Sequence, residues 1–197
     1  MGLKQKLITT LNPLAKSLIP NRLYFWLWSR NKPDRRYMEA TLLPGFGRLN
    51  PKYVLSVGTQ PYCAHYGKYF DRNNCEFWTL DIEPELAQFG SPGRHITASV
   101  IDVDQHFKPG YFDVISLNGI FGWGVNDPND QIKTLANLRK IIRPGGVLLI
   151  GWNDDLMNGD VVAMAASTGF KYCNPMGQPN RKQFPGGTHI YDLFTAE

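Results

Sequence analysis

The sequence predicts an α/β protein: an open, doubly wound, mostly parallel sheet of seven strands closing with an antiparallel hairpin, preceded by helices at the N-terminus. Three observations predict it. From Pro51 onward, apolar runs of strand length alternate with helical or turn-rich segments, which implies parallel strands joined by right-handed crossovers. The last two apolar runs have only a Pro- and Gly-rich loop between them, so they pair antiparallel. The 197 residues, 43% hydrophobic and 13% aromatic, suffice for one such core. The chain divides into a basic, helical extension or cap at 1–50 and the sheet domain at 51–197.

Residues 3–11 and 14–19 read as helices. The stretch NRLYFWLWSR at 21–30 gathers Leu23, Tyr24, Phe25, Trp26, Leu27 and Trp28 between Arg22 and Arg30. It reads as a helix that caps the domain and covers a groove; peripheral membrane contact through residues 1–30, with indoles at headgroup depth, is the alternative. KYVLSVG at 52–58 is a buried strand, after which Tyr62, Tyr66, Tyr69 and Phe70 recur at helical spacing. EFWTLDI at 76–82 is the second strand, followed by a short helix from Pro84 to Gly90. HITASVID at 95–102 is a third strand and YFDVISLNG at 111–119 a fourth. Asp127 and Pro128 open a helix whose apolar stripe is Ile132, Leu135, Leu138 and Ile142. RPGG turns the chain into VLLIGW at 147–152, a helix occupies roughly residues 156–168, and FKYC and HIYDLFT form the hairpin.

Charge and cysteines narrow the function classes. Residues 1–52 hold ten Lys/Arg against Asp34 and Glu39, whereas the remainder holds eleven against fifteen acids. The basic segment is expected to be a solvated helical face, and the mildly acidic body offers no nucleic-acid groove or recognition motif. Cys63, Cys75 and Cys173 are odd in number and lack zinc-site spacing, so no metal and no disulfide framework is expected, and reduced thiols fit a cytoplasmic protein. Asn12, Pro13 and Lys16 interrupt any signal-peptide core.

In a doubly wound sheet a ligand sits beyond the carboxyl ends of the strands, at the switch point beside the first strand. There the chain reads VLSVGTQPYCAHYG, residues 54–67. Gly58 stands where the strand must turn, but Thr59, Gln60 and Pro61 replace the further glycines that a dinucleotide's pyrophosphate requires. Pro61 can open a helix and Thr59 can cap it. Asp81, about 20 residues on at the end of the second strand, is placed to accept from both hydroxyls of a ribose, with Glu83 as substitute; N-capping the helix from Pro84 is its structural alternative. Asp113, at the start of the fourth strand, reads as structural.

Five stretches in order, VLSVGTQPYCAHYG, TLDIEPE, SVIDVDQHF, YFDVISLNGIFGWG and IIRPGGVLLIGW, resemble the motifs of the class I S-adenosylmethionine-dependent methyltransferases over roughly residues 50–195. The resemblance implies a Rossmann-like domain binding S-adenosyl-L-methionine, with S-adenosyl-L-homocysteine as product, through Gly58, Thr59, Gln60, Pro61, Asp81, Ile82, Asp102, Val103, Asn118 and Gly119. It implies that Asp102, or else Asp104, accepts from the adenine amino group. NGIFGWG partly echoes an Asn-Pro-Pro-aromatic signature, which would place Asn118 at an acceptor amine and Phe121, with Tyr62 and Trp123, against the substrate. A base would be needed for a hydroxyl or protonated amine, and His65, His189 and Asp154 are its candidates.

The expected function is O- or N-methylation of a small-molecule or sugar-like acceptor. A non-catalytic methyltransferase-like adaptor, associated with a membrane surface, is the alternative. A nicotinamide-dependent reductase is disfavoured, since no tyrosine has a lysine four residues later.

Overall fold

The computed structural model describes residues 32–70 and 74–197. The helices expected at 3–11 and 14–19, the aromatic cluster at 21–30 and the membrane contact assigned to 1–30 lie outside the described residues. The described chain opens with α1 (Pro33–Tyr37), a π-helical turn (Met38–Leu42) and α2 (Leu43–Arg48). Pro33 occupies the first turn, where its missing N–H costs no helical hydrogen bond.

The strands are β1 (Tyr53–Val57), β2 (Glu76–Asp81), β3 (His95–Thr97), β4 (Phe112–Asn118), β5 (Ile142–Asn153), β6 (Phe170–Lys171), β7 (Arg181–Gln183) and β8 (His189–Ala196). They lie in the order β3-β2-β1-β4-β5-β8-β6, with β7 also pairing β8. The first five run parallel and β8 runs antiparallel to β5. β1, flanked by β2 and β4, is therefore the switch point.

Helices cover both faces. Met38, Leu42, Leu43 and Phe46 pack with Val54, Val114, Val147, Leu149 and Tyr191 on one face. On the other, Leu135, Leu138 and Ile141 of α3 (Pro128–Ile141) and Val161 and Ala165 of α4 (Val161–Ser167) meet Leu55, Ile115, Leu148, Ile150 and Phe194. Both helices are N-capped by aspartates: Asp127 accepts from the N–H groups of Asn129 and Asp130, and Asp160 from those of Val162 and Ala163.

Several expectations are corrected. The sheet has eight strand segments rather than seven, because its last position is shared by β6 and β7. Residues 172–180 leave the sheet between them, stitched by Asn180, which donates to Tyr172 O (3.0 Å) and accepts from Asn174 N (2.9 Å). The segment after β1 forms 3-10 turns at Pro61–Cys63 and Tyr66–Tyr69 instead of an α-helix, in keeping with a run of Pro, aromatic and Gly residues of weak helix propensity. Pro84–Phe89 is likewise 3-10. β3 stops at Thr97 because the Ser99 side chain accepts from Ile101 N and starts a 3-10 helix, Val100–Gln105. In α3 the buried stripe ends on Ile141, while Ile132 is 41% exposed.

Candidate active site

At the carboxyl edge of β1 the chain turns at Gly58, with φ +89° and its N–H on Leu80 O at 3.0 Å. A side chain there is barred twice, by that φ and because a Cβ would lie 2.6 Å from Asn118 O. The next N–H, of Thr59, donates to Asp81 Oδ2 at 2.6 Å, and Asp81 Oδ1 accepts from Glu83 N at 3.0 Å. Asp81 thus ties the end of β2 to the turn after β1. It does not cap the helix that follows: Glu83 holds the cap position, without a side-chain bond. An ionised carboxylate has about four acceptor sites, so Asp81 keeps capacity for further donors. Thr59 also departs from expectation: its hydroxyl caps nothing, being buried with no partner, and Gln60 takes the cap position before Pro61 without a side-chain bond.

Beside this turn lie other buried polar atoms with no hydrogen-bond partner among the described residues. Asn118, at the end of β4, has its Oδ1 unpartnered. The amide occupies the hollow left by Gly151 on β5, where a Cβ would come within 2.1 Å of Oδ1. Gly119 follows with φ +67° and donates to Gly151 O. His189, at the start of β8, has its Nε2 unpartnered. Buried polar groups are nearly always satisfied, and each exception costs about 1–3 kcal/mol.

His189 is the candidate base with the most defined chemistry. Its Nδ1 lies 3.1 Å from Asn153 Oδ1. The Asn153 amide nitrogen donates to Thr188 Oγ1 (2.8 Å), and Oδ1 also accepts from Trp123 Nε1 (3.4 Å), so Oδ1 is an acceptor and the proton sits on His189 Nδ1. Nε2 then carries the lone pair. Burial pushes the imidazole's pKa down to about 4; the charge of Arg35 acts in the same direction and Asp34 opposes it. The ring is neutral at physiological pH and edge-on to Tyr191, with centroids 4.6 Å apart.

Arg35, which the sequence pattern did not single out, is the cation of this neighbourhood. Its side chain is only 13% exposed. Nη2 donates to Tyr62 OH at 2.8 Å, the guanidinium lies 4.3 Å from the Tyr62 ring centroid, and Nε is 3.4 Å from Asp34 Oδ2. Nη1 has no partner. The phenols and the thiol around it stay neutral, since burial raises the pKa values of Tyr62, Tyr66 and Tyr191 and lifts the Cys63 thiol to about 11. The signals available were Pro33, which marks a helix start just before Arg35, and the period-2 alternation that puts His189 and Tyr191 on one face of β8.

The remaining candidates lie as follows. Ile82 is 62% exposed next to Asp81. Asp102 and Asp104 pair with Lys133 (2.8 Å) and Lys140 (2.9 Å) of α3, and Val103 between them is fully buried in the core. Phe121 is 1% exposed among core residues, so its ring packs inside the protein rather than against an acceptor. Trp123, by contrast, is 65% exposed. His65 faces Glu39 (3.4 Å) and Tyr66, and Asp154 is an exposed residue beyond β5. Asp113 is structural as expected: it accepts from Lys52 N, Tyr53 N and Arg143 Nε. Burial acts to raise its pKa, but these bonds outweigh it and hold the carboxyl below its ordinary value. No group of three metal-ligating side chains occurs among the described residues.

The fold is shared with solved methyltransferases. The N-methyltransferase NodS of Bradyrhizobium japonicum WM9, in complex with S-adenosyl-L-homocysteine, superposes with TM-score 0.63 at 14% identity, over 84% of this chain and 89% of that one. This is the class I methyltransferase fold. A TehB-like SAM-dependent methyltransferase of Corynebacterium glutamicum matches with TM-score 0.62 at 17% identity, over 87% of this chain and 99% of that one. The 1,6-didemethyltoxoflavin-N1-methyltransferase of Burkholderia thailandensis, with bound 1,6-didemethyltoxoflavin and S-adenosylhomocysteine, matches with TM-score 0.54 at 15% identity, over 89% and 86% of the two chains. No protein-family model matches the sequence, and comparison with curated proteins finds no match. Among the described residues no helix is long and apolar enough to cross a membrane. The unpartnered groups of Thr59, Asn118 and His189 sit along the carboxyl edge of the parallel strands, after β1, at the end of β4 and at the start of β8.

Proposed function

We propose that the protein is an S-adenosylmethionine-dependent methyltransferase acting on an oxygen or nitrogen of a small-molecule acceptor. The observation that carries the reading is the collection, on one sheet edge, of the Asp81 carboxylate and the partnerless polar atoms of Thr59, Asn118 and His189. A ligand with hydroxyl and ammonium donors satisfies them where the protein itself does not.

The residues present fit the donor. Asp81 has acceptor capacity left for the two ribose hydroxyls. Ile82, exposed beside it, offers an apolar face to adenine. Asp102 would receive the adenine amine while sharing its carboxylate with Lys133. Gly58, Thr59, Gln60 and Pro61 would line the amino-acid tail, and the Asn118 amide oxygen, with Gly119 beside it, would accept an ammonium or an acceptor amine. When bound, the donor supplies an electrophilic methyl group on a sulfonium. The chain's part is positioning and exclusion of water. His189 Nε2, holding a lone pair, would take the proton that a hydroxyl or ammonium acceptor must lose. Tyr62 and Trp123 would flank that acceptor.

Calorimetric titration with S-adenosylhomocysteine tests the reading. Wild type is expected to bind in the micromolar range, and Asp81→Asn roughly 30-fold more weakly, since an amide replaces one charged acceptor with a donor. Absence of binding to wild type, or an unchanged affinity in Asp81→Asn, would refute it.

A further inference from the structure

Arg35 has no role in the account above, yet its surroundings are unusual for a structural arginine. The guanidinium is almost wholly buried, at 13% exposure, with five N–H donors to place. Nη2 is used on Tyr62 OH, and Asp34 meets Nε only at 3.4 Å, beyond the range of a short charged hydrogen bond. Nη1 is buried and unpartnered. Next to it, Tyr66 is 3% exposed, and its hydroxyl has only the weakly bonding Cys63 thiol beside it. Tyr191, 0% exposed, and His189 complete the surroundings, and both feel the Arg35 charge. A cation, phenolic donors and an imidazole therefore meet where α1 packs over the start of β8, beside the carboxyl end of β5, with donor capacity in excess of acceptors.

We infer that Arg35 is a carboxylate-binding residue of this site, its free Nη1–H and the Tyr66 hydroxyl receiving the oxygens of a bound acid. A planar guanidinium is the side chain best matched to a carboxylate. The inference rests on the methyltransferase reading for the origin of the acid, which is either the amino-acid tail of the methyl donor or a carboxylate on the acceptor. Binding has a consequence for His189. An anion on Arg35 cancels the positive charge that now repels a proton from the imidazole, so ligand binding readies Nε2 to accept one.

Two measurements on the full chain separate the sources. In the first, S-adenosylhomocysteine and 5′-methylthioadenosine, which lacks the amino-acid tail, are titrated into wild type, Arg35→Met and Arg35→Lys. If Arg35 holds the donor's tail, wild type prefers S-adenosylhomocysteine by about 10- to 100-fold, Arg35→Met removes most of that preference and Arg35→Lys keeps part of it. In the second, acetate, benzoate and 4-hydroxyphenylacetate, and the amides of the same acids, are added to the product-saturated and ligand-free proteins while the His189 imidazole is followed by NMR. If Arg35 holds the acceptor, at least one acid, and not its amide, moves the His189 titration to higher pH. In Arg35→Met that titration is already higher and the acid adds nothing. The inference falls if Arg35→Met and Arg35→Lys both fold yet change neither the tail preference nor the acid response, or if amides act as well as acids. It falls equally if neither preference nor response exists in wild type. Failure of both adenosyl ligands to bind wild type refutes the methyltransferase reading instead, and the acid titration of ligand-free protein still decides the role of Arg35.

Discussion

Two faces of β8 solve the same problem in opposite ways. Asp192 is fully buried, and its carboxylate accepts from Arg181 Nε (2.7 Å) and Nη2 (2.9 Å), Trp152 Nε1 (2.9 Å) and Tyr172 OH (2.9 Å). Every acceptor site is used, and the donors come from β5, β7 and the segment after β6, so one carboxylate closes the divided edge of the sheet. On the neighbouring face, His189 and Tyr191 adjoin Arg35, and Nε2 and Nη1 point at no partner. Saturation marks groups that hold the fold together. A deficit of partners costs about 1–3 kcal/mol per group, and on this face we propose that a ligand makes it good.

The comparison breaks most visibly at His189. If His189 is the base proposed above, replacing it with Gln removes the Nε2 lone pair, and since a positioned base contributes about 10²–10⁴-fold, kcat should drop roughly a thousandfold once an acceptor is identified, with thermal stability nearly unchanged. An active His189→Gln enzyme would move the base elsewhere. Asp192→Asn should do the reverse. It deprives Arg181, Trp152 and Tyr172 of a charged acceptor and should cost about 3 kcal/mol in urea denaturation, the lower end for a broken buried pair because Arg181 is 38% exposed and can turn to water. Its affinity for S-adenosylhomocysteine should match wild type.

The pH dependence of stability sharpens the contrast. The imidazole of His189 titrates near pH 4 when folded against 6.5 when unfolded. The unfolded chain therefore binds the proton first, and the contribution of this residue to stability is fully present above about pH 6.5 and is lost as the pH falls toward 4, by about 3 kcal/mol. His189→Gln lacks this loss. The difference between the two urea midpoints should widen in the variant's favour from pH 7 to pH 4.5, and a constant difference would show that His189 is not held neutral.

How much of this was legible depended on range. Apolar runs of strand length located the strands, because a buried strand announces itself locally; Asp127 was visible as a cap, and Asp81 as the acid after β2, for the same reason. β7 was not, since Arg181, Lys182 and Gln183 are the polar residues of a short edge segment with no apolar signature. The 3-10 turns after β1 were hidden because Tyr66 and Phe70 keep helical spacing and are buried whichever helix carries them. Arg35 was invisible for a different reason. Its tyrosine partner is 27 residues away, and the neighbouring Asp34 O receives Tyr191 OH across 157 residues, so only folding brings α1 over β8.

The smallest effect is expected at Trp123, and it tests whether the unsaturated face extends to the loop after β4. That loop is closed on itself: the N–H groups of Trp123, Gly124 and Val125 all approach Ile120 O, and Phe121 is anchored in the core. The indole stands outside, 65% exposed, with one long bond of 3.4 Å from Nε1 to Asn153 Oδ1. Trp123→Ala should therefore change stability by no more than about 0.5 kcal/mol, as for surface positions in general. Asn153 keeps its bond to His189, so the imidazole stays oriented and kcat should hold. What is lost is an apolar wall beside the base, and the acceptor's KM should rise roughly threefold, about what 0.6–0.7 kcal/mol of lost contact produces. A fall in kcat with KM unchanged would instead mean that the indole's hold on Asn153 sets the tautomer of His189, making Trp123 a positioning residue.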